Sequence, residues 1–158
     1  MYEKTLVLLK PDAVERQLIG SIITYFEEAG LKIHGLKLIK AKQSQVETHY
    51  QEHKEKPFFP SVVEFLTSGP IVALVVGGYE AIAKVRKICG DTEPGKAEVA
   101  SIRGRWAHIS RHSMTGGILK NLVHSSDCRE SALKEIALWF DESELLDYSS
   151  PNDGWFNF

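Results

Sequence analysis

Ile71-Val72-Ala73-Leu74-Val75-Val76, closed by Gly77 and Gly78, decides the architecture. Six consecutive apolar residues, rich in β-branched types and ended by glycine, read as a strand covered on both faces. Such a strand needs hydrogen-bonding partners at its edges and helices above and below it. Working outward, Thr5 to Leu9 is a second short apolar run, stopped by Lys10 and Pro11 because proline lacks the N–H that further pairing requires. Ile19, Ile22, Ile23 and Phe26 lie at i, i+3, i+4 and i+7, the stripe of a core-facing helix, with Gly30 placed to end it. Leu31, Ile33, Leu36 and Leu38 read as a strand whose alternation slips near Gly35, as at a bulge.

Ser44 with Glu47 and Ser61 with Glu64 have capping-box spacing, predicting two short helices around Lys56-Pro57-Phe58-Phe59. Ile82, Val85 and Cys89 form the apolar side of a helix ended by Gly90, with Arg86 pointing elsewhere. Residues 91–120 show no period and contain Pro94, Gly95, Gly104, Gly116 and Gly117, a long irregular stretch. It carries Arg103, Arg105, Arg111, His108 and His112, which is either a solvated surface or a phosphate clamp. Leu122 and Val123 suggest a brief last strand. Asp127 with Glu130 predicts a cap for a helix whose stripe is Leu133, Ile136, Ala137 and Phe140.

The order that results is a βαββαβ ferredoxin-like sandwich, α/β (α+β) in class. It has a four-stranded antiparallel sheet, an inserted helical hairpin and a long loop before the last strand. One domain spanning 1–158 is expected, with 141–158 as a C-terminal tail. That tail carries Trp155, Phe156 and Phe158, so it is expected to pack on this subunit or a neighbour.

Nineteen Lys and Arg against 21 Asp and Glu leave a net charge of −2, which argues against a nucleic-acid or membrane surface and makes any anion site local. Cys89 and Cys128 are far apart and outside any CxxC pattern, the usage of a reduced, cytoplasmic protein. The run Leu6 to Leu9 is too short for a signal peptide or a membrane span.

The strongest chemical hint is Asn121-Leu-Val-His124-Ser-Ser-Asp127, a polar cluster between a strand and a capped helix. Its histidine is either a nucleophile or a ring satisfied by local hydrogen bonds. With Thr5-Leu-Val-Leu-Leu-Lys10-Pro11-Asp12-Ala13-Val14, His49-Tyr50-Gln-Glu-His53-Lys-Glu-Lys-Pro57-Phe58-Phe59, Ser68-Gly69-Pro70 and Ile102-Arg103-Gly104, it forms an ordered set over nearly the whole chain. That set resembles the nucleoside diphosphate kinase family.

The resemblance implies reversible transfer of a terminal phosphate from a nucleoside triphosphate, mainly ATP, to a nucleoside diphosphate through a phosphohistidine at His124. A phosphoryl group on imidazole stays close in energy to a nucleotide anhydride, whereas a serine ester would be a trap, so ping-pong exchange suits histidine. The resemblance further implies that Glu135 holds the unreactive ring nitrogen and that Ser126 lies near the transferred phosphate, though a serine there could instead cap the helix. Arg86, Thr92, Arg103 and His53 would hold phosphates, Lys10 and Asn121 would reach the ribose and the region of transfer, and Tyr50 would stand near the imidazole. Phe58 would stack on the base with Val62 on its other side, giving tolerance of base identity. Core packing for Phe58, a strand-end charge for Lys10 and a solvated helix position for His53 and Glu135 are the plainer readings. With no carboxylate cluster at metal-ligand spacing, Mg²⁺ would arrive on the nucleotide phosphates.

Some positions depart from the family pattern. Arg105-Trp106 replaces an acidic residue and phenylalanine, Ala100-Ser101 replaces Gly-Thr, Ser125 replaces a glycine, and the segment from Arg103 to Asn121 is longer than usual. In the family that loop helps make trimer contacts within a hexamer, so a homo-hexamer is expected. A catalytically silent nucleotide-binding module on the same fold remains the alternative. A ferredoxin-like RNA-binding domain would want aromatic pairs on its strands, which the aliphatic first strands lack.

Overall fold

The computed structural model describes residues 1–111 and 118–156. His112, Gly116, Gly117, Phe158 and the Phe156 side chain, all singled out above, lie outside that description. Four strands form one sheet: β1 (Tyr2–Leu9), β2 (Lys32–Lys40), β3 (Pro70–Tyr79) and β4 (Val123–Ser125), in the order β2-β3-β1-β4 with every pair antiparallel. The run 71–76 lies in an inner strand, as its continuous apolarity requires, and all six of its residues are buried. The slip read at Gly35 is a register irregularity between Ile33 and Gly35.

Alternation along β1 sends Val7 and Leu9 to one face and Leu6 and Leu8 to the other. The first face packs on α2 (Ile19–Glu28) and α5 (Ala81–Cys89), through Ile22, Phe26, Val85 and Cys89. The second packs on α3 (Gln43–His49), α4 (Phe59–Thr67) and α7 (Arg129–Trp139), through Val46, Val63, Leu66 and Trp139. A 3-10 turn at Gln51–His53 joins α3 to α4, completing the inserted helical pair.

The capping boxes did not form as read. α3 begins after Lys42 and α4 after Phe58, neither with a side-chain cap, and Pro60 in the first turn of α4 supplies the helical φ instead. At α7 the cap is Cys128, whose sulfur accepts from the Ser131 N–H. The α7 stripe also differs: Leu133 is 63% exposed and Ala137 is exposed, while Ala132, Trp139 and Phe140 are buried. This helix has no clean apolar stripe because Ser131 and Glu135, on another face, border the polar cleft.

The stretch 91–120 is less irregular than its composition suggests. It contains α6 (Ile102–Trp106), capped by Ser101 Oγ accepting from the Gly104 N–H, and a 3-10 turn at Pro94–Lys96. α1 (Pro11–Glu15) was also unforeseen. Gly90, at φ +84°, ends α5 where a Cβ would collide with the Ser101 side chain.

Beyond α7 the chain returns along β2. Leu146 N–H donates to His34 O at 2.8 Å, and Lys32 Nζ reaches Tyr148 O at 2.7 Å and Asp153 of α8 (Pro151–Phe156) at 2.9 Å. Trp155 does not pack on this subunit; it is 83% exposed.

Candidate functional site

His124 sits on β4 opposite Leu8 of the inner strand β1. A kink delivers it there: Leu122 adopts φ +70°, a conformation costing a branched L-residue about 1 kcal/mol or more. The strain is over-determined by its neighbours. Leu122 N–H donates to the buried Asp12 carboxylate at 3.0 Å, and Lys10 N–H donates to Leu122 O at 2.8 Å. The same kink turns the Asn121 side chain inward, where Oδ1 accepts from Lys10 Nζ at 2.7 Å and Nδ2 donates to Thr92 O at 2.8 Å.

The His124 ring is partly buried, and its Nε2 donates to Glu135 Oε2 at 3.0 Å. That same carboxylate oxygen accepts from Ser126 Oγ at 2.6 Å, and Ser126 Oγ in turn accepts from Leu6 N–H. Ser126 is therefore not a helix cap; it is fully buried and fastens Glu135 to β1. Burial alone would raise the Glu135 carboxyl, but the hydrogen bonds and charge interactions with the histidines and Ser126 leave it below its usual range.

His49, which carried no role in the sequence reading although it precedes Tyr50 in a quoted motif, lies edge-on to His124 with ring centres 4.5 Å apart. Trp139 Nε1–H donates to His49 Nδ1 at 3.0 Å. An indole nitrogen can only donate, so the neutral ring carries its proton on Nε2. Burial, then charge interactions with His124 and Lys10, push the His49 pKa down to about 3 against the opposing pull of Glu135. His49, His124 and Glu135 have ligand atoms within 4.8 Å of one another, yet the tautomer set by Trp139 removes one of the three lone pairs a metal would need.

The His124 ring borders a cleft of about 800 Å³ with His49, His53 and Glu135 and, on another side, the first of two pockets that join each other. This first pocket, of about 330 Å³, is lined by Arg86, Thr92, Arg103, Lys10, Asn121, Tyr50, His124 and the carboxylates Asp91 and Asp127. Arg103, buried, donates to three backbone carbonyls: Nε to Asn121 at 3.1 Å, Nη1 to Gly90 at 2.7 Å and Nη2 to Val123 at 2.6 Å. Two of its five N–H groups remain for an anion. Burial, aided by Arg103, depresses the Lys10 ammonium to about 8. Tyr50 is pushed upward by burial, its ring 6.2 Å from that of His124.

The other pocket, of about 410 Å³, shares Lys10, Tyr50, Thr92 and Asn121 with the first and continues to Phe58, Val62, Phe65, Leu66, Ile118 and Leu119. Phe58 is 41% exposed, whereas Phe59 packs on the core, so the exposed ring of the pair faces the cleft. His53 lies at this end, its ring 5.7 Å from Phe58, and is not among the residues lining the arginine pocket. Ile118 and Leu119 were missed because residues of an irregular loop have no periodicity to mark the inward side.

An imidazole backed by a carboxylate, a pocket lined by two arginines and a lysine, and a joined slot with apolar walls suit a nucleotide phosphotransferase on a ferredoxin-like frame. The family described as "Nucleoside diphosphate kinase" matches residues 3–145. The nucleoside diphosphate kinase of Pyrococcus abyssi is 49% identical over 154 residues, covering 98% of this chain and 93% of its own. That of Synechococcus sp. is 46% identical over 153 residues, covering 97% of each. Among solved structures, a transition state mimic of the Borrelia burgdorferi enzyme with bound vanadate and ADP superposes with a TM-score of 0.94 at 33% identity, covering 99% of this chain and 97% of that one. The halophilic enzyme of Halobacterium salinarum in complex with CDP gives 0.89 at 39%, covering 99% of each. The chain belongs to the nucleoside diphosphate kinase family, and it is an enzyme that transfers a terminal phosphate from nucleoside triphosphates to nucleoside diphosphates.

Proposed function

We propose that His124 is the residue that carries the phosphate, through Nδ1. Its Nε2 proton is engaged by Glu135, so the lone pair stays on Nδ1. That lone pair attacks the terminal phosphorus, the bond to the bridging oxygen breaks, and the diphosphate departs. The N–P bond then yields to the terminal oxygen of a second diphosphate. Glu135 stabilises the positive charge the ring acquires, Ser126 holds Glu135, and Tyr50 bounds the ring. Arg86, Thr92 and Arg103 hold the phosphates, with His53, which borders a cleft in common with His124 as well as the Phe58 slot, while Lys10 and Asn121 bridge the ribose and the region of transfer. Phe58 and Val62 hold the base. The observation that carries this reading is the 3.0 Å contact between His124 Nε2 and Glu135 beside a pocket lined by two arginines and a lysine.

The test is radiolabelled ATP. The native chain should take up an acid-labile, alkali-stable label that a nucleoside diphosphate removes, and His124→Ala should take up none while keeping its fold. Near-normal exchange by that variant would refute the assignment, and a folded native chain that takes no label would favour the silent module.

The family's metal requirement fits a nucleotide-borne Mg²⁺. Asp91 and Asp127 border the phosphate pocket and would take part in holding the ion's water shell. When bound, the ion neutralises phosphate charge. Residues 1–158 are read as one domain with 141–158 as its tail, working in the cytoplasm, where the buried Cys89 and exposed Cys128 stay unpaired. Leu36 and Leu38, 54% and 62% exposed on the outer strand β2, together with the exposed Trp155, support a homo-oligomer, a hexamer by the family pattern. Sedimentation of the chain as a monomer at micromolar concentration would overturn that state.

A further inference from the structure

The loop arginines that the sequence presents as one cluster are separated by the fold. Arg103 is buried among backbone carbonyls, and Arg105 donates to Tyr25 at 3.2 Å with its guanidinium 5.2 Å from the Trp106 ring. Arg111 alone of the three lines the apolar slot with Phe58, Val62, Ile118 and Leu119. It is absent from the lining of the arginine pocket around His124.

Its position is built rather than incidental. Arg111 N–H donates to Glu93 Oε1 at 3.1 Å, and Gly95 N–H donates to Ile109 O at 3.0 Å, which pins the loop to the 3-10 turn at Pro94–Lys96. Glu93 is buried, and its second oxygen pairs with Lys96 at 3.0 Å.

Lys10, Tyr50, Thr92 and Asn121 lie where the slot joins the arginine pocket. Arg111, with His53, is thus a polar group at the end otherwise lined by Phe58, Val62, Phe65, Leu66, Ile118 and Leu119, and Arg111 is the cation there. It is not needed there for phosphate, which lies at the other end, and an arginine suits a flat π system because its planar guanidinium stacks on ring faces. We propose that Arg111 is a further nucleotide-binding residue of this chain, contacting the base of the bound nucleotide at the end of the cleft opposite His124. This rests on the reading of that slot as the base site. Because the contact lies away from the reacting atoms, it acts on affinity and leaves the chemical step alone.

The experiment compares Arg111→Ala and Arg111→Lys with the native chain by direct titration with ADP and with pyrophosphate, and by steady-state exchange. For Arg111→Ala the ADP dissociation constant and the nucleotide KM should rise about tenfold, equivalent to about 1.4 kcal/mol. Pyrophosphate affinity and kcat should stay within about twofold, the scale of a remote substitution. Lysine, lacking the planar group, should restore less than half of the loss. An unchanged ADP affinity, an equal weakening of pyrophosphate, a fall in kcat at constant KM, or full rescue by lysine would each overturn the proposal. Failure of the native chain to exchange phosphate would instead overturn the reading of His124, and the ADP titration would still report on Arg111.

Discussion

The two ends of the cleft are built on different terms. At the His124 end the central polar groups are bound to the backbone or to a buried partner: Arg103 to three carbonyls, Asn121 to Thr92 and Lys10, Glu135 to Ser126. At the Phe58 end the lining runs from the buried Phe65 and Leu66 of α4 to the exposed Phe58 and Arg111, and among the described residues none of these side chains makes a hydrogen bond of its own. The difference follows from what each end must do. Stabilising charge that develops in a transition state requires donors already in place, because reorganising them would cost what they contribute. Accepting bases of different shape requires a π face and little else.

If this contrast holds, Arg103→Ala should have the largest effect after loss of His124 itself. It removes a phosphate donor and takes one donor from each of three backbone carbonyls, of which Asn121 O keeps the Val123 N–H. Turnover should fall by about 3 kcal/mol of transition-state stabilisation. The unfolding midpoint in denaturant should fall with it. Arg103→Lys should not restore either, because one ammonium cannot span three diverging carbonyls. Full activity in the lysine variant would erase the claim that this end is preorganised.

Phe58→Ala, at the other end, should weaken nucleotide binding by about 2 kcal/mol, the scale of a lost stacking contact. Turnover at saturation and thermal stability should hardly change, since the ring is exposed and its loss opens no core cavity. A large drop in stability would mean that Phe58 is a core residue after all and that the two ends are alike.

An effect no larger than that of Phe58→Ala, at most about 2 kcal/mol between pH 7 and pH 5, concerns the floor of the His124 end. Burial keeps His49 neutral, with its pKa at about 3 against an ordinary value of about 6.5. Between those values the unfolded chain binds a proton that the folded chain refuses. The stabilisation is therefore complete above about pH 6.5 and fades as pH falls toward about 3, at no more than about 1.4 kcal/mol per pH unit. Urea denaturation at pH 7 and pH 5 should show this slope, and His49→Gln should flatten it. An unchanged slope in that variant would take His49 out of the account.

Legibility differed between these regions for the same reason. Strands and helices announced themselves wherever one period ran uninterrupted, as at 71–76 and 19–26. The three capping boxes failed because Ser, Glu and Asp at that spacing are common, and the actual starts were decided by Pro60 and Cys128. Leu133 and Ala137 misled because a helix bordering a cleft serves two environments and its pattern averages them. His49 went without a role because its tautomer depends on Trp139, ninety residues away in sequence.

Short-range order alone was enough to mark the inner apolar strand, the bulge near Gly35 and the polar stretch around His124. Those properties depend on neighbours within a few positions, where steric and hydrophobic periodicity act. Only the folded chain decided which nitrogen of His124 is held, how many donors Arg103 has left, and which loop arginine turns toward the base slot. Each of these depends on groups brought together from distant parts of the chain, and hydrogen-bond direction and burial do not exist until that meeting has occurred.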